Sequence, residues 1–518
     1  MGNTLPRANF NLTPADTEVG VSEQKMLIIG QMLETGTATP KTLVKNILND
    51  NSWEKLFGEK SVLANMIRQA RKLCGFCQYQ IKIDAIGLLD ADEAVASSAT
   101  ITFSGTPTDT GELEFVIGSE FNHKYALGCI PSDTPATLAQ KLKKLIDADS
   151  KAPFVATVLD GVVTLTFANA GSIGNNTAIY YSGNVAGLTV ALTKFQGGVT
   201  DPSVDDSVLG LITNLRYNEI VSPIEYGIDK IKTLLDGRFN TNNKILDGAL
   251  YVTKTDTLAN HLVELAKLNS QNINYQCDKL VDADTYKGSS IPEFSFIKAI
   301  YNATLKALRV SDGSQLSAVI IGQYDDDLMG GVHNNSLPFF NTSCPYLNAI
   351  QPEYHWSSDA SNNEIKEINS VGGSVWDNNA TDNGLVMGEQ LSTYKTDNAG
   401  NEDITWKFMN YRDTGSAIRE FRFKNFKKDF AQSRMDDDTE KQVRNAFLRY
   451  YKTLSGNEYR CTRAGKESFK FYEQNLKVAL NFAEGTVTIH CKDPYVTQLR
   501  EAIGYFKATF NLATGEAV

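Results

Sequence analysis

Cysteine and histidine are the residues best suited to redox or metal chemistry, and the spacing of the cysteines argues against both. Residues 74–77 read CGFC, a CxxC pair. One such pair cannot complete a structural zinc site, which needs a second pair or two histidines. A redox CxxC begins a helix after a strand, whereas this pair closes a predicted helix. We interpret Cys74 and Cys77 as small, half-buried thiols.

The histidines are too scattered to form a catalytic or metal-binding motif. There are five: His123, His261, His333, His355 and His490. No HExxH, GxSxG, GxxxxGK[ST] or strand-linked GxGxxG pattern occurs. His490 and Cys491 fall in a predicted strand, and we interpret them as packing residues. The sequence therefore predicts no enzyme activity, no catalytic residue, no metal site and no cofactor.

Two acidic runs and one glycine-rich stretch have simpler interpretations than ligand binding. YDDD (324–327) and MDDD (435–438) lack the spacing of an EF-hand loop. The second run precedes a predicted helix, where carboxylates complement the helix dipole. GSIGNN (171–176) joins predicted strands and so offers no helix N-terminus to a phosphate. We interpret all three as turns or helix caps.

One basic and aromatic cluster is a candidate contact surface. In REFRFKNFKK (419–428), phenylalanines alternate with the cations Arg419, Arg422, Lys424, Lys427 and Lys428. Nucleic-acid stacking platforms have this composition, and so does a packed strand whose basic side faces an acidic partner. Because the chain carries a net charge of −11, we favour a protein partner over nucleic acid.

Length and hydropathy place these residues in a large protein of several domains. The chain has 518 residues, of which 42% are hydrophobic, and a chain of this length usually forms more than two domains. No apolar run reaches the length of a membrane span, so no membrane insertion is expected.

The first part of the chain alternates between strands and helices. MLIIGQ (26–31) and YQIKIDAIG (79–87) are predicted strands, and helices are predicted over TPKTLVKNILND (39–50) and SVLANMIRQARKL (61–73). From residue 95 short strands closed by Gly, Asn or Asp follow, with one helix from Pro135 to Ile146 capped by Asp133 or Thr134.

The α/β alternation returns near residue 203 and gives way to an α+β segment at 391. Strands and helices alternate over 207–308, which predicts a parallel sheet. Residues 311–390 are rich in loops. Next come predicted strands LSTYKT (391–396) and ITWKFMN (404–410), a helix over 439–454, a strand over 485–491 and a helix over 494–506.

The two chain ends carry apolar residues that suit added strands. In FKATFNLA, residues Phe506, Ala508, Phe510 and Leu512 point to one side of an extended chain, and polar residues point to the other. The polar N-terminal stretch has one matching pair, Phe10 and Leu12. We predict the following division: N-terminal arm 1–22; α/β core 23–94 and 199–390; inserted β-rich domain 95–198; C-terminal α+β domain 391–504; C-terminal strand arm 505–518.

Several stretches, taken in order, resemble tail sheath proteins of contractile-tailed phages, especially the Mu-type branch. These are MLIIGQ through SVLANMIRQAR, then ITFSGTPTDTGELEFVIG, PATLAQKLKKLIDA, GSIGN and FQGGVTDP, and finally GSVWDNNATDNGLVMGEQLSTYKTDNAGNEDITWKFMNYRDT. Where the family usually has "TTY", this chain has Ser392-Thr393-Tyr394. The resemblance covers nearly the whole chain.

The resemblance implies a structural role without enzymatic activity. It implies hexameric rings stacked helically as a sleeve around a tail tube, in a virion tail assembled in the bacterial host cytoplasm. The implied partners are other copies of the chain, the tube protein, and baseplate and tail terminator proteins, with no direct nucleic-acid contact. Terminal strands are expected to join sheets of neighbouring subunits. The alternatives are a baseplate or shell protein and an α/β hydrolase.

Overall fold

The computed structural model describes most of the chain between the two termini. The described residues are 25–47, 53–76, 81–119, 122–238, 248–280, 293–311, 343–348, 354, 363–378, 384–430, 433–456 and 462–494.

Helices and strands alternate along these residues. The strands are β1 (Lys25–Gln31), β2 (Leu43–Val44), β3 (Lys82–Leu88), β4 (Ser98–Gly105), β5 (Gly111–Ile117), β6 (Lys124–Cys129), β7 (Phe154–Leu159), β8 (Val162–Phe167), β9 (Ile179–Ser182), β10 (Leu188–Leu192), β11 (Glu219–Val221), β12 (Ala249–Asp256), β13 (Ile273–Lys279), β14 (Ser343–Asn348), β15 (Gly373–Ser374), β16 (Trp376–Asn378), β17 (Gly384–Met387), β18 (Lys477–Asn481) and β19 (Thr486–His490). The helices are α1 (Trp53–Phe57), α2 (Val62–Phe76), α3 (Pro135–Ala148), α4 (Asp206–Ile212), α5 (Asp229–Arg238), α6 (Leu258–Lys267), α7 (Ser295–Ser311), α8 (Glu364–Ser370), α9 (Met409–Phe430), α10 (Thr439–Leu454) and α11 (Lys466–Asn475).

A mostly parallel sheet organises the first two thirds of the chain, as the alternating pattern predicted. Its described strands have the order β15-β13-β12-β11-β1-β3-β2, and every neighbouring pair is parallel except β2 with β3. Side chains of β1 alternate between two apolar clusters: Met26 and Ile28 join the one containing α2 and α7, and Leu27 and Ile29 join the one containing α4 to α6. Burial of both faces explains why this strand reads as an unbroken apolar run.

The β-rich segment leaves this sheet after β3, and the chain rejoins the sheet at β11. It forms a four-stranded sheet, β10-β4-β8-β7, and a three-stranded sheet, β6-β5-β9, with α3 beside them. Thr134 caps α3, while Asp133 is bound by Lys141. Phe294, just before α7, packs edge-on against His123 and Phe167 of the segment. One continuous apolar cluster therefore spans the segment and the parallel sheet, and the domain boundaries given above remain predictions.

Three stretches that were predicted as regular elements have other structures. Instead of a helix over 39–50, the described part contains the short edge strand β2, with Lys41 and Asn46 at positive φ on either side. Pairing of Leu43 and Val44 with β3 outweighs the helical spacing of the apolar residues.

The predicted strands 391–396 and 404–410 form isolated bridges in place of ladders, and Met409 and Asn410 at the end of the second stretch already belong to helix α9. The Thr393 amide donates to the Ile273 carbonyl, and the Lys395 amide donates to the Asn269 side chain. These two contacts tie the first stretch to the amino end of β13 without forming a ladder.

A buried polar layer lies between α7 and the parallel sheet. Lys298, Asn302 and Lys306 recur at four-residue spacing and point to one side of the helix. The Lys298 ammonium pairs with Asp278, Asn302 donates to Asn274 at 2.7 Å, and Lys306 lies 3.5 Å from Glu219. The side chains of Lys298 and Asp278 are only 3% and 5% exposed, so each buried charge is stabilised by the opposite charge of its partner.

Replacing Lys298 with Met should destabilise the fold by about 3–5 kcal/mol, since it leaves a buried carboxylate without its cation. Urea unfolding would measure this change. The control is Lys230→Met, which breaks an exposed pair with Asp206 and should cost less than about 1 kcal/mol. Equal effects of the two substitutions would contradict the interpretation.

Candidate assembly surface

The last described part of the chain is a β-hairpin formed by β18 and β19. Their register pairs Lys477 with His490 and Asn481 with Thr486. Val478, Leu480, Val487 and Ile489 are half-buried, and the residues between them are exposed. Among the described residues this sheet has two strands, which is marginal for an independent sheet in water. Within the described part of the chain no further strand pairs with its outer edges, and the backbone groups of a sheet edge can pair with an added strand.

A cluster of mainly aromatic residues on α10 and α11 packs against one face of the hairpin. Val443, Phe447 and Tyr450 lie on one face of α10, as the helical spacing predicted, and are buried. Tyr451 stacks on Tyr472 of α11, with 4.3 Å between ring centroids. The half-buried residues Val478, Leu480, Val487 and Ile489 form the inner row of the hairpin, and Val478, Val487 and Ile489 of this row pack on the cluster. An added strand could therefore bury more apolar surface here.

The basic cluster at 419–428 belongs to a helix, which corrects the strand interpretation. These residues form the second half of the 22-residue helix α9. Phe421 and Phe426 pack edge-on against Tyr450 and Phe447. Alternation of cations and phenylalanines resembled a strand, but aromatic contacts with α10 favour the helix.

Arg422 cannot serve as the electrostatic contact that was predicted for it, because it is buried within this chain. Its guanidinium makes a bidentate pair with Asp493 at 2.5 and 2.7 Å and lies over the rings of Phe447 and Tyr472. Burial opposes the charge, but the hydrogen bonds and attraction of Asp493 outweigh it and raise the pKa of Arg422 above its usual range.

The remaining cations of the cluster are more accessible. Lys424, Lys427 and Lys428 are exposed, and Arg419 is half-buried. Because α9 and α10 pack antiparallel, these lysines lie near the start of α10, where Asp436 to Asp438 are also exposed. Asp436 accepts hydrogen bonds from the Asp438 amide and the Thr439 hydroxyl, so the MDDD run forms a turn at a helix start, as predicted. This end of the helix pair carries both signs of charge.

The apolar residues of the two arms lie outside the described residues. This applies to Phe10 and Leu12 and to Phe506, Ala508, Phe510 and Leu512. It also applies to Cys77, His333, His355, the YDDD run and the predicted helix over 494–506. The proposed strand additions therefore stay predictions.

The position where α/β enzymes bind ligands is occupied by the chain itself. Such sites lie outside the carboxyl ends of strands where the order reverses, which here is between β1 and β11. Gln31, at the end of β1, donates to Asp90 at 2.7 Å and to the Ala170 carbonyl at 2.6 Å. Asn169 also donates to Asp90, at 2.9 Å. The β-rich segment thus packs directly onto this end of the sheet.

The described histidines and cysteines have structural contacts or lie at the surface. Burial lowers the pKa of His123, which bonds to Asp149 at 2.8 Å, and of His261, which bonds to the Asp278 carbonyl at 3.0 Å. Cys74 is buried in α2. His490 is exposed on β19, so its interpretation as a packing residue was wrong.

Metal-binding and membrane-spanning features are not found in the described ranges. Within those ranges, no group of three His, Cys, Asp or Glu residues is arranged to hold a metal ion. Likewise, no helix with described residues has both the length and the apolar character needed to cross a membrane.

Comparison with known proteins gives one relative by sequence. No family model matches the chain. Over 265 residues the chain is 29% identical to the Mu-like prophage FluMu tail sheath protein of Haemophilus influenzae. The aligned region covers 49% of this chain and 52% of the relative. This chain is a relative of a tail sheath protein. The resemblance seen in the sequence motifs is thereby confirmed over about half of this chain, and the matched region spans about half the length of the relative.

Solved sheath structures are also similar to this chain. The sheath tail protein of Desulfitobacterium hafniense has 13% identity and a TM-score of 0.45, covering 96% of this chain and 98% of that one. The sheath tail protein Lin1278 of Listeria innocua has 11% identity and a TM-score of 0.43, covering 92% and 94%. The contracted PVC sheath of an extracellular contractile injection system has 10% identity and a TM-score of 0.43, covering 95% and 93%. Scores of this size do not establish a common fold.

Replacing Arg422 with Gln should destabilise the C-terminal segment by about 3 kcal/mol, because it leaves Asp493, whose side chain is only 10% exposed, without its cation. Hydrogen exchange at β18 and β19 would measure the change locally. Lys424→Gln, two positions along the same helix and exposed, serves as the control and should change stability by less than about 0.5 kcal/mol. Unchanged exchange in the Arg422 variant would contradict a supporting role for the pair.

Proposed function

We propose that this protein is the structural subunit of a contractile phage tail sheath. In this proposal, copies polymerise as a six-fold helical sleeve around the tail tube, and the sleeve contracts to drive the tube through the host envelope. The observation that carries it is the sequence match to a tail sheath protein. Its partners would be other copies, the tube protein, and baseplate and terminator proteins, in a virion tail assembled in the host cytoplasm.

The hairpin of β18 and β19 is the proposed acceptor for strands from neighbouring subunits. Two observations support this role: its two-stranded sheet in the described part of the chain and its half-exposed inner row. Each arm carries apolar side chains on one side, which would extend that row over the aromatic cluster. Strand addition of this kind uses main-chain hydrogen bonds for affinity and side-chain pockets for specificity.

A single arm should bind too weakly to assemble free subunits. Burying Phe506, Phe510 and Leu512 contributes about 5–8 kcal/mol, and about four ladder hydrogen bonds add ~2–6 kcal/mol. Ordering seven residues costs about 7–14 kcal/mol, so the sum is near zero. Several arms acting on a subunit already held by its neighbours gain from effective concentration. Assembly would then be cooperative and depend on a template.

The experiment that tests the function is electron microscopy of the purified protein mixed with tail tubes, which supply the template that assembly requires. Long tubular sleeves of regular diameter around the tail tubes support a sheath subunit. Closed rings alone would indicate a shell or baseplate protein, and monomers with hydrolytic activity would indicate an enzyme; either result contradicts the proposal.

Deleting residues 505–518 should abolish long tubes, because each subunit loses one of its strand ties. A more specific variant combines Phe506→Ser with Phe510→Ser, which removes only apolar side chains. Its control combines Lys507→Ser with Asn511→Ser on the opposite side of the predicted strand. Tube length and number in micrographs are the measurement. Wild-type tubes from the deletion variant would rule out the role of this arm.

Reversing Lys427 and Lys428 to Glu tests the exposed part of the basic cluster as a tube or intersubunit contact. We expect weaker assembly, with a defect that depends on salt, because ionic strength screens contacts between exposed charges. Lys151→Glu with Lys194→Glu applies the same charge change to exposed positions of the β-rich segment. Light scattering across a salt series measures assembly, and identical curves for both variants would contradict a specific contact.

A further inference from the structure

Helix α9 carries two buried arginines, and each bonds to a different part of the molecule. Arg412 lies in its first turns and contacts the parallel sheet, and Arg422 contacts the segment that follows the hairpin. Ten residues separate them, which is about 15 Å along a helix and about 80° around its axis. The two guanidinium groups can therefore face different partners on one rigid element.

The Arg412 contact pins α9 to the amino ends of two strands. Its Nε donates to the Asn272 side chain at 2.9 Å, and an Nη donates to the Gly248 carbonyl. Gly248 immediately precedes β12, and Asn272 immediately precedes β13. Gly248 has φ +137°, and a Cβ there would lie 2.8 Å from Leu235, so the carbonyl position depends on glycine.

The position of Arg412 is unfavourable for helix electrostatics alone. A cation in the first turns of a helix is repelled by the helix dipole, and burial of a guanidinium costs free energy unless its donors are satisfied. The two hydrogen bonds to the strand ends offset both costs. They are formed only when the start of α9 has one orientation relative to the sheet.

We propose that Arg412 is a positioning residue that sets the direction of α9 and, through Arg422 and Asp493, the place where each subunit presents its acceptor hairpin. This inference rests on the proposed function. A tilt of about 10° at one end of a helix about 33 Å long moves the other end by about 6 Å, more than the ~4.8 Å between paired strands. A neighbouring arm would then miss the hairpin edge.

The test uses the full chain with Arg412→Met, and with Arg412→Lys as a second variant that keeps the charge. The control is Arg449→Met, an arginine of α10 that is 65% exposed. Hydrogen exchange reports whether β12, β13, β18 and β19 remain folded. Spin labels on non-canonical residues at the exposed positions Val263 and Phe482 report the distance from α6 to the hairpin in unassembled subunits.

We expect protected strands in both Arg412 variants and a broader label distance than in the wild type. The Met variant should lose tubes by more than about tenfold, because it removes two buried charged hydrogen bonds and the loss of one alone would give about tenfold. The Lys variant should lie between Met and wild type, because an ammonium cannot reproduce the guanidinium geometry.

An unchanged label distance overturns the inference, and so does loss of strand protection in both variants, which would make the role purely structural. If the wild type forms no tubes but the distance still broadens in the variants, the proposed function fails and the positioning role stands.

Discussion

Burial of both faces of the parallel sheet is the constraint on which the rest of this structure depends. Strand β1 is apolar on both sides, so helices must cover it on both sides. Those helices hold the rest of the molecule in place. The β-rich segment packs against the start of α7 through Phe294, and the chain around Thr393 is tied to the amino end of β13. Additions to the sheet are thus attached by specific side-chain and backbone contacts.

Contacts within the chain also occupy the position where an α/β enzyme would bind its ligand. The carboxyl end of β1, where a ligand would bind in a related architecture, contacts Asp90 and Ala170 instead. Polar groups at this end satisfy one another and join two parts of the chain. A likeness of architecture to enzymes therefore does not by itself establish an activity. The relative found by sequence is a tail sheath protein.

The C-terminal segment differs from the parallel-sheet region. Its described sheet has only two strands, and aromatic residues packed against one face stabilise it. Aromatic residues of α10 and α11 and the buried Arg422–Asp493 pair hold a hairpin whose inner row remains half-exposed. Under the proposed function, contacts of this kind would suit a lattice, since each added strand would contribute little by itself and many together would contribute cooperatively. Rigid attachment through α9 would then matter as much as the hairpin, because a strand can pair only with an edge in the right place.

The sequence by itself determined the parallel sheet, most helices and the resemblance to tail sheaths. It also limited the N-cap of α3 to two candidates, Asp133 and Thr134. These follow from local signals: the apolar run of β1, the helical spacing of Val443, Phe447 and Tyr450, and motifs in order along the chain. Only the tertiary structure decided that residues 419–428 form a helix and that Arg422 is buried. Alternating Phe and cations fit a strand equally well. The helix is favoured by aromatic contacts with α10, and burial of Arg422 depends on Asp493, which is distant in sequence. Arg412 gave no local signal, since its partners Asn272 and Gly248 come together only after the sheet has formed.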